Sequence, residues 1–202
     1  HAGQGCAIPT RMLLPRSRYD EGVEQLKTVM AMAPYGDPQR PDVMMGPLVS
    51  EKQRDRVLGY IGKGVAEGAT LAMGGGRPAE HPTGWYVEPT IFDQVTPDMR
   101  LFREEVFGPI LAVSTFETEA EAIALANDSA FGLAASLYTR DVKRAQRVAS
   151  AIRAGTVSVN GFSEGDITTP FGGYKQSGFG GRDNGMEAFE QYQQTKTIWY
   201  VN

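Results

Sequence analysis

The 202-residue chain is poor in the side chains that build disulfides and metal sites, with one cysteine, Cys6, and two histidines, His1 and His81. A single thiol cannot form an internal disulfide, and two histidines at these positions cannot join it in a plausible zinc cluster. We therefore predict no disulfide framework and no structural metal site.

Long hydrophobic runs and concentrated positive charge are also missing. No stretch approaches the roughly 20 apolar residues of a membrane helix, and the start of the chain has no apolar signal-peptide core. Lysine and arginine are scattered through a chain of formal net charge −4, so a phosphate backbone has no basic patch to bind. These absences predict a cytoplasmic protein without a membrane or nucleic-acid partner.

What is present is an ordinary globular composition, 41% hydrophobic and 22% charged, in which helix and strand patterns follow one another. Apolar periodicity predicts helices over 17–33, 50–68, 118–125 and 142–152. Short apolar runs predict strands over 70–73, 110–116, 133–138 and 156–159. Strands alternating with helices predict an α/β fold with right-handed crossovers and a largely parallel sheet.

Two other segments are β-prone but have special positions. Pro89 interrupts the run 85–92, which predicts a sheet edge or a hairpin there. The aromatic terminal run 195–201 has no helix after it, so we expect it to pair with the sheet edge of another chain.

Cys6 has two interpretations. It lies in Gly3-Gln4-Gly5-Cys6, where glycines allow a tight backbone that can expose the sulfur and local N–H groups, as a nucleophilic thiolate requires. The simpler interpretation is a buried cysteine that acts as a small hydrophobe.

The segment 104–109 also has two interpretations. Glu105 and Phe107 are two residues apart before a predicted strand, so their side chains could project the same way. The carboxylate could then accept both hydroxyls of a ribose, and the ring could pack on a planar heterocycle. The alternative is a charged turn ended by Gly-Pro. No glycine fingerprint for a dinucleotide is found, because Gly62, Gly64 and Gly68 have the wrong spacing.

The ordered motifs resemble the C-terminal part of the NAD(P)-dependent aldehyde dehydrogenase superfamily over essentially the whole chain. They are Gly3-Gln4-Gly5-Cys6, Met45-Gly46-Pro47-Leu48, Glu88-Pro89-Thr90, Glu104-Glu105-Val106-Phe107-Gly108-Pro109, Ala126-Asn127-Asp128, Gly132-Leu133, Gly155-Thr156-Val157-Ser158-Val159-Asn160 and Pro170-Phe171-Gly172-Gly173-Tyr174-Lys175-Gln176-Ser177-Gly178.

This resemblance implies a three-layer α/β catalytic domain that uses NAD or NADP. Cys6 would attack the aldehyde to give a thiohemiacetal and then a thioester, with its own N–H as half of the oxyanion hole. Glu105 would hold the nicotinamide ribose and Phe107 would pack near the nicotinamide. Gln53 would approach the cofactor, although a capping box with Ser50 explains it equally well.

The resemblance also suggests a substrate. Phe171 matches an aromatic position of the substrate tunnel, and the acidic pair Glu164 and Asp166 precedes it. The variant segment 164–170 looks like the branch that oxidises ω-aminoaldehydes, such as free or γ-glutamyl aminobutyraldehyde, where a carboxylate would attract the amine. The alternative is a solvated acidic loop.

The resemblance predicts a catalytic domain over 1–178 and a C-terminal helix with an oligomerisation strand over 179–202, which would form a homodimer or homotetramer. The general base and most of the cofactor site are expected outside this chain, so the 202 residues alone should have negligible dehydrogenase activity. Two other functions stay open, namely a non-catalytic assembly module that pairs with full-length subunits and a thiol-dependent esterase.

Overall fold

A computed structural model describes residues 1–163 and 165–201, which form two compact units, His1–Asp128 and a second from Ser129 onward. The boundary differs from the predicted functional division at 178/179. It comes earlier because strand Phe131–Gly132 pairs with strand Tyr174–Lys175, which joins the glycine-rich loop to the segment after Ser129. The functional division itself stays a prediction.

The first unit is a four-stranded sheet with helices. Its elements are β1 (Arg11–Pro15), α1 (Tyr19–Ala31), α2 (Glu51–Ala66), β2 (Thr70–Met73), β3 (Thr90–Asp93), α3 (Arg100–Arg103), β4 (Ile110–Phe116) and α4 (Glu119–Asn127). The strand order is β1-β4-β3-β2, where β4 is parallel to both β1 and β3, and β2 is antiparallel to β3. The prediction of an α/β fold with parallel strands is confirmed.

The middle of this sheet is the core. Ile91 and Phe92 on β3 and Val113 on β4 are completely buried. The predicted sheet edge at 85–92 is therefore wrong for β3, which has a neighbour on each side, although its antiparallel pairing with β2 fits the hairpin alternative. Pro89 is tolerated because it stands before the strand, and the first ladder donor is the Thr90 N–H, which reaches the Pro109 carbonyl.

Local signals set the helix ends. The Ser50 hydroxyl accepts a hydrogen bond from the Gln53 N–H at 3.2 Å and begins α2, while Thr118 does the same from Glu121 and begins α4. Gly68 follows α2 with a φ of +94°. These caps are short-range interactions, which is why the sequence predicts them correctly.

The second unit contains β5 (Phe131–Gly132), β6 (Ala134–Leu137), α5 (Val142–Ala151), β7 (Thr156–Val159), β8 (Tyr174–Lys175) and a 3-10 helix, Met186–Tyr192. Strands β6 and β7 are parallel and α5 connects them, as the alternating pattern predicts. Residues 195–201 form no strand within the chain, so their pairing with another chain stays a prediction. Within the described residues, no helix is long and apolar enough to cross a membrane.

Candidate active site

Cys6 stands on an exposed turn before β1. The Ile8 N–H donates to the Gly5 carbonyl at 3.2 Å, which closes the turn around Cys6. The thiol is exposed, so the interpretation of Cys6 as a buried hydrophobe is wrong. The Cys6 N–H donates to no residue that the structure describes. The turn thus combines an exposed sulfur with a backbone donor that has no partner among the described residues.

The sheet brings this turn to the segment 104–109. Cys6 comes just before β1 and Phe107 just before β4. Because these strands are parallel neighbours, both turns lie at the same end of the strands. The two turns touch at Gly3. It has a φ of +70°, and a Cβ placed on it would overlap the carbonyl of Gly108. Ligands of open α/β sheets commonly bind at the carboxyl ends of strands, whereas these two turns lie at the amino ends.

Glu105 and Phe107 lie on either side of a buried residue. Glu105 is exposed, Val106 is buried and Phe107 is half-buried. The expected strand entrance is not formed, because 104–109 is irregular and Phe107 has a φ of +61°, which no strand residue adopts. The different accessibility of the two predicted cofactor residues follows from this bend.

The Gln53 side chain binds the backbone of the segment 104–109. Its Nε2 donates to the Phe107 carbonyl at 2.7 Å and to the Val106 carbonyl at 3.3 Å. Its backbone N–H is capped by Ser50, but its side chain does not return to Ser50, so only half of the capping box forms. A cofactor contact by Gln53 stays a prediction.

Sequence reasoning missed two residues on the same face of α2. Arg56 donates from Nη2 to the Glu105 carbonyl at 2.6 Å, and its guanidinium lies 5.0 Å from the Tyr60 ring centroid. Tyr60 donates to Glu104 at 2.5 Å, and burial together with this hydrogen bond raises the pKa of the phenol. The spacing of Arg56 and Tyr60, three and seven residues after Gln53, was the available signal.

Arg11 was also missed, although it lies five residues after Cys6. Its guanidinium donates to the carbonyls of Leu125 and Ala126 at 3.2 and 3.0 Å and stacks 4.5 Å from the Phe102 ring centroid. Burial lowers the pKa of Arg11, against the attraction of Asp128. Arg11 therefore ties the strand that follows the cysteine turn to the end of α4.

A cleft of about 720 Å³ lies beside Phe107 and the residues that precede the Cys6 turn. Gln4 and Phe107 line it together with mostly apolar residues of the loop 38–49. Gln4 also joins the walls, because its Oε1 accepts a hydrogen bond from the Val49 N–H at 3.1 Å. The cleft offers an apolar wall beside a polar rim, which suits a planar heterocycle joined to a sugar.

The predicted substrate residues belong to the second unit. Phe171 is half-buried and pairs with Asp183 in an isolated antiparallel bridge. The Asp166 carboxylate is exposed and accepts hydrogen bonds from the hydroxyl and N–H of Thr168, which lower its pKa. Glu164 lies outside the described residues.

His81 is held in a ring cluster. It stacks on Tyr86 with ring centroids 4.5 Å apart and meets Tyr35 edge-on at 5.8 Å. Over residues 1–163 and 165–201, no group of three or more His, Cys, Asp or Glu side chains could hold a metal ion.

Known proteins resemble this chain closely. The model of the aldehyde dehydrogenase family matches residues 1–198. A betaine aldehyde dehydrogenase of Brucella anthropi is 47% identical over 98% of this chain and 41% of its own length. The chain therefore spans about two fifths of that relative.

Solved structures agree. A Mycobacterium tuberculosis aldehyde dehydrogenase complexed with NAD⁺ has 49% identity and a TM-score of 0.92 over 96% of this chain and 40% of its own. A cysteine-to-alanine mutant of a Pseudomonas syringae aldehyde dehydrogenase, complexed with NAD⁺ and octanal, has 43% identity and a TM-score of 0.93 over 98% and 40%. On these matches, the chain belongs to the aldehyde dehydrogenase family.

Proposed function

We propose that this chain supplies the catalytic cysteine and the nicotinamide-ribose contacts of an NAD(P)-dependent aldehyde dehydrogenase, which oxidises an aldehyde to a carboxylic acid. The observation that carries this proposal is the exposed Cys6 on a turn whose N–H is free among the described residues. A nucleophile and an oxyanion donor are thus available at one position.

The reaction starts at the Cys6 thiolate. Its Sγ forms a bond to the aldehyde carbon, and the π electrons of the carbonyl move to its oxygen, giving a thiohemiacetal anion. The Cys6 N–H donates a hydrogen bond to this oxygen. When the oxygen reforms its double bond, the carbon loses hydride and a thioester remains on Cys6. Water then adds to the thioester and displaces the thiolate, and the product is the carboxylic acid.

The hydride acceptor is the oxidised nicotinamide of NAD or NADP. Two features of the chain fit its nicotinamide-ribose end: Glu105 is an exposed carboxylate that can accept ribose hydroxyls, and Phe107 lines the cleft with a half-buried ring. The complexes of the Mycobacterium tuberculosis and Pseudomonas syringae relatives with NAD⁺ support this choice.

Because the chain has one cysteine, the proposal can be tested on the thiol alone. We expect p-nitrophenyl acetate to place one acetyl group on Cys6 at pH 7, at least about tenfold faster in the folded chain than in the same chain unfolded in urea. Mass spectrometry measures the adduct, and the C6A variant should acquire none. Equal rates for the folded and unfolded chain would contradict an activated nucleophile.

The same measurement separates the alternatives. One of them is a second function, assembly with longer subunits. The exposed side chains of Trp199 and Tyr200, at 83% and 85%, favour such assembly and a homo-oligomer through residues 195–201.

A chain that acts only as an assembly module does not need a reactive thiol. An esterase would release acetate repeatedly, whereas we expect slow turnover and little NAD reduction from these residues alone, since they span about 41% of a relative's length.

For the substrate we propose a cationic aldehyde, the class to which protonated ω-aminoaldehydes belong, with Phe171 packing on it and Asp166 and Glu164 attracting its charge. The name of the Brucella anthropi relative, a betaine aldehyde dehydrogenase, supports this class. The exposed Asp166 carboxylate, whose pKa the hydrogen bonds from Thr168 lower, supplies a negative charge for such a substrate. Because an exposed pair contributes only about 0–1 kcal/mol, the preference should be small.

The substrate prediction uses two aldehydes of matched shape, betaine aldehyde and the neutral 3,3-dimethylbutanal. We expect the first to bind about two- to fivefold more tightly, with affinities measured from the amide shifts of Thr168 and Phe171. D166N should remove the preference. D37N is the control, because Asp37 accepts a similar hydrogen bond from the Gln39 N–H in the other unit. Equal affinities for both aldehydes in the native chain would remove the support.

A further inference from the structure

Two side chains of α2 hold three consecutive carbonyls of the cofactor segment, which is residues 104–109 and contains Glu105 and Phe107. Gln53 Nε2 donates to the carbonyls of Phe107 and Val106, at 2.7 and 3.3 Å. Arg56 donates from Nη2 to the Glu105 carbonyl at 2.6 Å and from Nε to the Val106 carbonyl at 3.4 Å. Every peptide unit from Glu105 to Phe107 is therefore bound to one helix.

The segment needs this support because of Phe107. A φ of +61° is uncommon for any residue other than glycine, and such a conformation persists only where the surroundings enforce it. The Gln53 amide holds the Phe107 carbonyl, which is the group that would swing away if φ became negative. Behind the next residue, Gly108, the side chain of Val57 leaves no space, since a Cβ there would overlap it.

Arg56, the second donor, is itself held in place by Tyr60. The Arg56 guanidinium lies 5.0 Å from the Tyr60 ring centroid, and the Tyr60 hydroxyl, on a buried ring, donates to Glu104 at 2.5 Å. Arg56 is thus bound on one side to the ring of its own helix and on the other to the segment that it holds. The side chains of α2 and the backbone of 104–107 form one connected network.

We propose that Gln53 and Arg56 are positioning residues, which fix the directions of the Glu105 and Phe107 side chains by holding their backbone. This inference rests on the proposed function, in which Glu105 and Phe107 receive the nicotinamide riboside. It gives Gln53 a different part from that of a ligand contact, because its Nε2 already donates to two carbonyls.

The test uses the isotope-labelled chain and nicotinamide mononucleotide as the probe. Positive φ gives Phe107 characteristic carbon shifts and a strong contact between its own amide and Hα protons. In Q53E, where a carboxylate faces the carbonyls, we expect this signature to be lost and the dissociation constant of the probe to rise at least tenfold. Q25E is the control, because Gln25 is exposed on α1 and, among the described residues, its amide donates to Glu21 alone. Q53N, which shortens the donor without adding charge, replaces Q53E if that variant does not fold.

A double-mutant cycle separates positioning from direct contact. Asparagine adopts positive φ more readily than phenylalanine, so in the F107N background Q53E should change the dissociation constant less than twofold. A tenfold loss in both backgrounds would mean that Gln53 touches the ligand, and it would overturn the proposal. A native Phe107 signature in both Q53E and Q53N would also overturn it. If the probe does not bind the native chain, the proposed function fails, while the Phe107 signature still decides the positioning.

Discussion

Replacing Gly3 by alanine is expected to lower the free energy of unfolding by about 3 kcal/mol or more and to abolish the rapid acylation of Cys6. Gly3 has a φ of +70°, where an L side chain is strained. The new Cβ would also overlap the Gly108 carbonyl, and Gly108 itself is packed closely against the side chain of Val57. The cysteine turn and the cofactor segment would have to separate.

Urea unfolding and acetylation by p-nitrophenyl acetate measure the two effects. The matched control is G62A, because Gly62 lies in α2 with open space around its Cβ position. There, alanine should add about 0.5–1 kcal/mol through helix propensity. A G3A chain within 1 kcal/mol of the native stability and with native acylation would show that the contact between Gly3 and Gly108 is unimportant.

Replacing Tyr19 by phenylalanine is expected to cost about 2 kcal/mol at neutral pH, the second largest effect. The buried Tyr19 hydroxyl donates to Asp93 and accepts from the Gln94 N–H at 2.9 Å, which joins α1 to the end of β3. Hydrogen bonds to a charged partner are stronger than neutral ones. Phenylalanine fills the same space but removes both hydrogen bonds of the hydroxyl, so Asp93 and the Gln94 N–H keep only the hydrogen bond between them.

The effect should depend on pH. Burial, followed by the hydrogen bond to Asp93, raises the pKa of Tyr19 from 10.0 to about 12. A raised pKa in the folded state means that the stabilisation is complete below the unfolded pKa of 10.0 and is lost as the pH rises towards 12. The difference in unfolding free energy between the native chain and Y19F should therefore shrink over this range. The control Y138F, at a ring 71% exposed, should stay within about 0.5 kcal/mol at every pH. A constant difference for Y19F would contradict the linkage.

Several features of the fold could be predicted because neighbouring residues decide them. The strand Ile110–Phe116 follows from its apolar run, and the starts of α2 and α4 follow from Ser50 and Thr118, whose hydroxyls cap N–H groups three residues later. The parallel pair β6 and β7 follows from the helix between them.

Other features depend on residues far apart in the chain. Pro89 suggested a sheet edge, but β3 became central because β4 and β2 flank it. The hydrogen bonds of the Gln53 amide could not be predicted, because the carbonyls that it binds lie more than 50 positions later in the chain. The contacts of Arg11 could not be predicted either, because the carbonyls that it binds belong to Leu125 and Ala126. No local pattern marks such contacts, since they exist only after the strands have paired.

At the single cysteine, too, the sequence determined one property and the tertiary structure another. Its scarcity and its glycine-rich setting, both properties of the sequence, determined that any thiol chemistry here must occur at Cys6. Only the tertiary structure decided whether that thiol is exposed and whether Glu105 and Phe107 lie at the same end of the strands as Cys6. The reason is physical. Residue types set which reactions are possible, but the parallel pairing of β1 with β4 and the close approach of Gly3 to Gly108 bring the two turns together.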